Sequence, residues 1–277
     1  MTTPVEIAIL GDLHGSFDEL LDGPVLSRFP LGLCTGDLTP NRGRDRFDVA
    51  MRIGSELASL GVRTVLGNHD GPACFTGRAF PKSYLSLCEV LGAHHLAGRL
   101  EDFPELGVSI IGARPLSTGG PELKYRVPGR ETWTFEQWGA EIAALARQAT
   151  QPRLVVLAHC GPTGLGSLRD APYGCDFRVG EGDWGDRDLR LALDSLRAEG
   201  VAVAAVVAGH MHHVLNGGGQ RVRVAREHET LHVNAAVVPR VSEQGRAIVV
   251  LRLDGQSADA RLEWHRPDGS IQSEELT

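Results

Sequence analysis

Seven side chains that can bind a metal ion follow short apolar segments of the sequence. They are Asp12, His14, Asp37, Asn68, His159, His210 and His212. The set combines carboxylates, imidazoles and one amide oxygen, which suits divalent manganese, iron, zinc or cobalt better than soft metals. Seven groups exceed the four ligands of a tetrahedral zinc, and they suit two ions about 3.5 to 4 Å apart bridged by a carboxylate. We therefore expect two divalent metal ions, with manganese favoured.

The spacing of these residues also favours a shared site. In Asp12-Leu13-His14 and in His210-Met211-His212 the candidate ligands are two residues apart. In an extended backbone this spacing turns both side chains to one side and the apolar residue between them to the other. Glycines flank nearly every cluster, at positions 11, 15, 36, 67 and 209, and permit tight turns and close approach of the backbone to a metal or phosphate.

Apolar runs and helical periodicity predict the elements that must position these ligands. Continuous β-branched runs indicate strands buried on both faces. The predicted strands are Val5–Leu10, Leu31–Cys34, Val62–Leu66, Val108–Ile111, Leu154–Ala158, Val201–Ala208, His232–Ala236 and Ala247–Leu253. The predicted helices are Phe17–Arg28, Arg46–Leu60, Ser83–Leu91, Phe135–Gln148 and Asp186–Ala198.

The order of these elements predicts an α/β fold. Strands and helices alternate over most of the chain, which indicates a largely parallel sheet covered by helices, and the strand-rich last third predicts a second sheet packed on the first. We expect one domain over residues 1–277. Every candidate ligand then follows the carboxyl end of a strand, where open α/β sheets bind their ligands. Two loops rich in Gly and Pro, 114–132 and 161–185, are expected to form the rim of the pocket.

Composition narrows the partners. Twenty-eight basic against 35 acidic residues give a formal net charge of -7, which argues against nucleic-acid or anionic-lipid partners and favours a small substrate. Five cysteines without a CxxC pair are typical of a reducing compartment, and we expect a cytoplasmic location. The longest apolar stretch, Val201–Ala208, is far shorter than the roughly 20 residues of a membrane span. The oligomeric state stays open.

As an ordered set, the motifs resemble a known family. The series Gly11-Asp12-Leu13-His14, Gly36-Asp37, Gly67-Asn68-His69-Asp70, a lone His159 and Gly209-His210-Met211-His212 looks like the signature of calcineurin-like metallophosphoesterases. The resemblance implies a four-layer αββα sandwich of two mixed β-sheets. It also implies hydrolysis of phosphate esters by a hydroxide that bridges two metal ions.

The resemblance assigns roles to individual residues. Asp12, His14 and His212 would hold one metal, and Asn68, His159 and His210 the other. Asp37 would bridge the two ions. His69 would assist catalysis by donating a proton to the leaving oxygen or by stabilising phosphoryl oxygens, and Asp70 would fix the His69 ring. Arg42 and Arg114 are candidate substrate-binding residues, with Arg44 as an alternative to Arg42.

Several alternatives stay open. The substrate is a small phosphomonoester or phosphodiester, with nucleotides among the candidates. A phosphoprotein phosphatase is a second possibility, although the residues after Asp37 read Leu-Thr-Pro-Asn-Arg-Gly instead of the Asp-Arg-Gly run of that branch. A nuclease and a catalytically silent interaction protein are further alternatives. Taken singly, Asp12 could be a helix cap and His159 a hydrogen-bonded core histidine.

Overall fold

Two β-sheets form the centre of the molecule. The computed structural model describes residues 3–71, 82–178, 180 and 182–276. Among these residues, the seven strands of the first sheet are β1 (Val5–Leu10), β2 (Gly32–Cys34), β3 (Arg63–Thr64), β10 (Val241–Ser242), β11 (Gly245–Asp254), β12 (Ser257–His265) and β13 (Ile271–Glu275). The six strands of the second sheet are β4 (Leu100–Phe103), β5 (Val108–Gly112), β6 (Arg153–Leu157), β7 (Ala205–Ala208), β8 (Val224–Glu227) and β9 (Thr230–Asn234).

Helices cover the outer face of each sheet. They are α1 (Glu19–Leu26), α2 (Arg46–Ser59), α3 (Lys82–Leu91), α4 (Phe135–Ala146) and α5 (Arg187–Ala198), with short 3₁₀ helices at Asn68–Asp70 and Gly92–His94. One apolar cluster joins α1, α2 and α3 to the first sheet, and a second joins α4 and α5 to the second sheet. The layers are therefore αββα, as the resemblance implies. In the described part of the chain, no helix is both long and apolar enough to cross a membrane.

Both sheets are mixed. The first has the order β13-β12-β11-β1-β2-β3, in which β1, β2 and β3 are parallel and β11 is antiparallel to β1. The second has the order β4-β5-β6-β7-β9-β8, with a parallel centre and an antiparallel strand at each edge. One expectation was wrong in part: β8 and β9 belong to the second sheet, but the strands that follow them, β10 to β13, form no sheet of their own. They extend the first sheet beside β1, because β11 pairs with β1 over the length of that strand.

Burial explains why the apolar runs became central strands. All residues of β5, β6 and β7 are buried, because one face of each strand meets the first sheet and the other meets the helices. In β6, Val155 belongs to the core between the sheets, and the next residue, Val156, belongs to the core under α4 and α5. Full burial of one such side chain contributes roughly 1.5–3 kcal/mol. Successive side chains of each central strand therefore contribute alternately to the core between the sheets and to the core beneath the helices.

Polar residues set the starts of two helices. The carboxylate of Asp18 accepts hydrogen bonds from the first amides of α1, and Thr134 forms a capping box with Gln137 at the start of α4. Both satisfy amides that have no partner within the helix. The other two helices that border the ligand loops, α2 and α5, begin at Arg46 and Arg187, within one residue of the predicted starts.

Candidate metal centre

The predicted ligands converge where the two sheets meet. Asp12 and His14 follow β1, Asp37 follows β2, Asn68 opens the short helix after β3, His159 follows β6, and His210 and His212 follow β7. Three of these strands belong to the first sheet and two to the second. The carboxyl ends of strands from both sheets thus meet at one site, and all seven predicted ligands lie there.

Asp12, His14 and His212 form the first ligand group. One potential ligand atom from each lies within 4.8 Å of the other two. Nε2 of His14 is 3.1 Å from Nε2 of His212, which in turn is 3.5 Å from Oδ2 of Asp12. Oδ2 of Asp37 lies 3.8 Å from Nε2 of His14. One oxygen of Asp37 therefore faces the first ligand group.

Asn68, His159 and His210 form the second ligand group. Nε2 of His159 lies 2.8 Å from Oδ1 of Asn68 and 3.6 Å from Oδ1 of Asp37. The ring of His210 is 5.1 Å from that of His159. The two oxygens of Asp37 therefore point to different groups, which is the arrangement a bridging carboxylate requires.

Backbone carbonyls orient the histidines. Nδ1 of His159 donates to the carbonyl of Thr35 at 2.8 Å, and Nε2 of His210 donates to that of Thr118 at 3.0 Å. Nδ1 of His14 lies 3.4 Å from the carbonyl oxygen of Thr39. Since a carbonyl can only accept, the other nitrogen of each neutral ring keeps its lone pair. Burial lowers the pKa of His14 to about 4 and that of His210 to about 3, which favours the neutral form that binds metals.

The carboxylates of the site crowd one another. Burial and the negative charges of Asp12 and Asp70 hold the pKa of Asp37 well above its usual range. Burial would also raise the pKa of Asp12, but the hydrogen bond from His212 and the neighbouring imidazoles outweigh it and hold this pKa below its usual range. Buried like charges are costly unless a cation or proton compensates them. Together with the inward lone pairs, this crowding fits a pair of divalent cations.

Three ligands lie in left-handed backbone conformations. The φ angles are 43° at His14, 51° at Asp37 and 69° at His210. Such conformations cost a non-glycine residue about 1–2 kcal/mol and persist where the surroundings enforce them. Here the amide of His14 donates to the carbonyl of Asp37 at 2.7 Å, and the amide of His210 donates to the Asp12 carboxylate at 2.9 Å. The ligand loops thus hold one another in place.

Two glycines are required by close packing around the ligands. A Cβ added to Gly67 would lie 2.2 Å from Oδ1 of Asp37 and 2.5 Å from Cε1 of His159. One added to Gly209 would lie 2.1 Å from Oδ1 of Asp12. All three distances are too short for a real Cβ atom, so a side chain at either glycine would displace a predicted ligand.

His69 and Asp70 differ in how they relate to the centre. The half-buried ring of His69 is 4.9 Å from the ring of His14, and its amide donates to Oδ1 of Asp37 at 2.8 Å. Burial lowers the pKa of His69 to about 4. The expected contact of Asp70 with this ring is replaced by others: its oxygens accept from the amide and hydroxyl of Thr39 and from the amide of Gly67, each at 2.9 Å. Asp70 therefore joins two ligand loops.

Neither of the two arginines predicted to bind substrate, Arg42 and Arg114, is among the described residues that line the cavity beside the candidate metal centre. The prediction for Arg114 was wrong: it is only 3% exposed, and it donates to Asp186 at 2.9 Å and to Asp188 at 2.8 Å. Two buried carboxylates hold this guanidinium in the interior, away from the solvent. Arg42 and Arg44 are exposed on the loop after Asp37 and are not among the described residues that line the cavity at the centre.

A cavity of about 490 Å³ opens beside the ligands. Both loops expected at the rim contribute to it, the first through Thr118 and Lys124 and the second through Phe177, Arg178 and Trp184. Both loops therefore lie at the cavity, and their part in binding a substrate stays a prediction. The amino-acid sequence does not mark these residues individually, since their only signal is a position within a segment rich in glycine.

Asn234 also supports the candidate site, although the sequence pattern did not predict this role. It is fully buried at the end of β9. Its Nδ2 donates to the carbonyl of Met211 at 2.7 Å and to that of Pro172 at 3.0 Å. It thereby fixes the turn that carries two of the histidines. An asparagine within the apolar run His232–Ala236 was the available signal.

Two solved structures align with nearly the whole chain at low sequence identity. A sulfate thiohydrolase, SoxB, from Thermus thermophilus in complex with glycerol aligns with 96% of this chain at 16% identity and a TM-score of 0.46. The chain spans 42% of the length of that enzyme. A conserved protein from Streptococcus pneumoniae, described as a predicted phosphoesterase, aligns with this chain at 15% identity and a TM-score of 0.37. The alignment covers 99% of this chain and 98% of the Streptococcus pneumoniae chain. No curated protein matches the chain significantly.

The family model provides the decisive comparison. The model of the calcineurin-like phosphoesterases matches residues 5–214. This range begins at β1 and ends just after His212, so it contains every predicted metal ligand. The chain therefore belongs to the calcineurin-like phosphoesterase family.

Proposed function

We propose that this protein hydrolyses small phosphate esters, monoesters or diesters, with two divalent metal ions. The first ligand group would hold one ion, the second ligand group the other, and Asp37 would bridge them. The observation that carries the proposal is the orientation of Asp37, whose Oδ2 faces His14 and whose Oδ1 faces His159. A carboxylate serving a single ion would not need to reach both groups.

The chain's own residues prepare the site for this reaction. When bound, the ions would ionise a water molecule into the nucleophile and neutralise charge on the phosphoryl oxygens. His69 lines the cavity, with its ring beside His14 and its amide held by Asp37. A neutral imidazole there can donate one hydrogen bond to a phosphoryl oxygen or to the leaving oxygen. Its proposed role is therefore to stabilise charge that develops during cleavage.

The mixture of imidazole, carboxylate and amide ligands supports manganese, iron, zinc or cobalt, and we favour manganese.

Residues beyond the family match support a single domain over the chain, because β11 pairs with β1 directly before Asp12. Cys34, Cys88, Cys160 and Cys175 are free thiols, which supports a reducing compartment such as the cytoplasm. The fifth cysteine, Cys74, lies outside the described residues.

Hydrolysis of nitrophenyl phosphate and bis-nitrophenyl phosphate by the manganese-loaded protein tests the proposal. We expect metal-dependent release of nitrophenol, and the preferred ester would separate monoesterase from diesterase activity. His69→Ala should lower kcat by about 100- to 10,000-fold while metal content stays unchanged. His94→Ala is the matched control, since His94 is a histidine outside the cavity lining of the described chain. Full metal occupancy without hydrolysis of either ester would favour a catalytically silent interaction protein.

A further inference from the structure

A buried arginine joins the turn that carries His212 to the loop that forms one wall of the cavity. Arg221 is 3% exposed and is not among the described residues that line the cavity. We propose that Arg221 is a positioning residue, which holds His212 of the first ligand group and the cavity wall in a fixed relative arrangement. This inference rests on the proposed function for the reaction that the arrangement serves.

The guanidinium of Arg221 reaches both segments at once. Its Nε donates to the carbonyl of His212 at 3.0 Å, and its Nη2 pairs with Oδ1 of Asp176 at 3.1 Å. Oδ2 of Asp176 accepts from the amide of Asn216 at 2.7 Å. His212, Asp176 and Asn216 all line the cavity. One buried cation therefore links three residues of the cavity surface from behind.

The remaining nitrogen of Arg221 holds the backbone of the loop 161–185. Nη1 donates to the carbonyls of Arg169, Ala171 and Gly174 at 3.0, 2.8 and 2.7 Å. An apolar side chain at this position would leave these carbonyls and the carboxylate without their donor, which is costly for buried acceptors. The loop would then lose the group that fixes its path.

The segment held in this way carries two side chains of the cavity wall, Phe177 and Trp184. Phe177 directly follows Asp176, and the amide of Trp184 donates to the carbonyl of Tyr173 at 2.8 Å. A misplacement of about 1 Å in an active site can lower the rate by about 100-fold. Loss of Arg221 should therefore disturb substrate binding as well as the metal ligand.

Arg153 provides a matched comparison. It is also 3% exposed, and its guanidinium donates to the carbonyls of Gly107 at 3.1 Å and of Thr3 and Leu253 at 3.2 Å. It lies at the start of β6, whereas His159 follows the end of that strand. None of its acceptors is among the described residues that line the cavity. Arg153→Met should thus lower stability without changing the site.

Manganese binding and ester hydrolysis by Arg221→Met and Arg153→Met test the inference. In calorimetric titrations we expect Arg221→Met to weaken one of the two manganese sites by about 10- to 100-fold, and Arg153→Met to leave both unchanged. An anomalous map should place the weakened ion at the first ligand group. At saturating manganese, kcat/KM for nitrophenyl phosphate should fall by about 10- to 100-fold in Arg221→Met. The loss should lie mainly in KM, because the wall binds substrate while both ions are present.

A second variant covers the case in which Arg221→Met does not fold. Arg221→Lys retains the charge opposite Asp176, but the three donors of an ammonium cannot serve all five acceptors of the guanidinium. Manganese affinities and a KM no different from those of Arg153→Met would overturn the inference and leave the proposed function intact. If the unmodified protein hydrolyses neither nitrophenyl ester but the Arg221 variant still weakens one manganese site, the positioning role stands and the proposed function fails.

Discussion

Replacing Arg114 with methionine should destabilise the protein far more than removal of an exposed ion pair does. The guanidinium is 3% exposed and pairs with Asp186 and Asp188, whose side chains are 4% and 1% exposed. Methionine fills a similar volume but leaves both carboxylates buried without their cation. Removing one partner of a buried ion pair costs about 3–5 kcal/mol. Urea denaturation followed by circular dichroism measures the loss in free energy of unfolding.

Arg52→Met provides the comparison. Arg52 pairs with Glu56 one turn along α2, and its side chain is 48% exposed; such pairs contribute roughly 0.5 kcal/mol. If Arg114→Met lost no more stability than Arg52→Met, the buried network would not have the structural role assigned to it. A phosphate clamp, in contrast, would leave stability intact and raise KM. The two variants therefore distinguish the buried ion pair from the earlier hypothesis of a substrate-binding arginine.

Two further substitutions test the packing of the site and the acid sensitivity of the fold. Gly67→Ala should abolish metal binding at the second ligand group, because the added Cβ would lie 2.2 Å from Oδ1 of Asp37. Gly71→Ala is the control, because its Cβ would make only ordinary contacts, at 3.4 Å or more. Equal metal contents of the two variants after dialysis would contradict this prediction. Burial lowers the pKa of His232 to about 4, so between pH 6.5 and pH 4 this histidine binds a proton more readily in the unfolded chain than in the folded one. The free energy of unfolding therefore falls by up to ~3 kcal/mol as the pH decreases through this range. His232→Phe should flatten that dependence in urea titrations at pH 7 and pH 5, and an unchanged slope would contradict the assignment.

The sequence predicted the central elements well because burial on two faces leaves a strong pattern. The apolar run Val5–Leu10 became β1 with the same bounds. The second half of the long hairpin, β12, was missed, since polar residues alternate with apolar ones in Ser257–His265 and no continuous apolar run marks it. The edge strand β13 is exposed along its length, and its single apolar residue, Ile271, gives no hydrophobic pattern.

For the candidate site, the sequence predicted which residues meet, but the local geometry differs from the expected one. The spacing in Asp12-Leu13-His14 was attributed to an extended strand, whereas His14 has a φ of 43° and His210 a φ of 69°. These ligands therefore converge through tight turns held by long-range hydrogen bonds. The positions of Arg114 and Trp184 also depend on contacts between distant loops, which no local spacing encodes.

The proposed metal centre requires that Asp37 lies between two metal ions. Crystals of the manganese-loaded protein, measured at a wavelength where manganese scatters anomalously, test it most directly. We predict two anomalous peaks, one at the first ligand group and one at the second, with an oxygen of Asp37 bound to each ion. A single peak, or none, in crystals grown with saturating manganese would show that Asp37 does not bridge two ions.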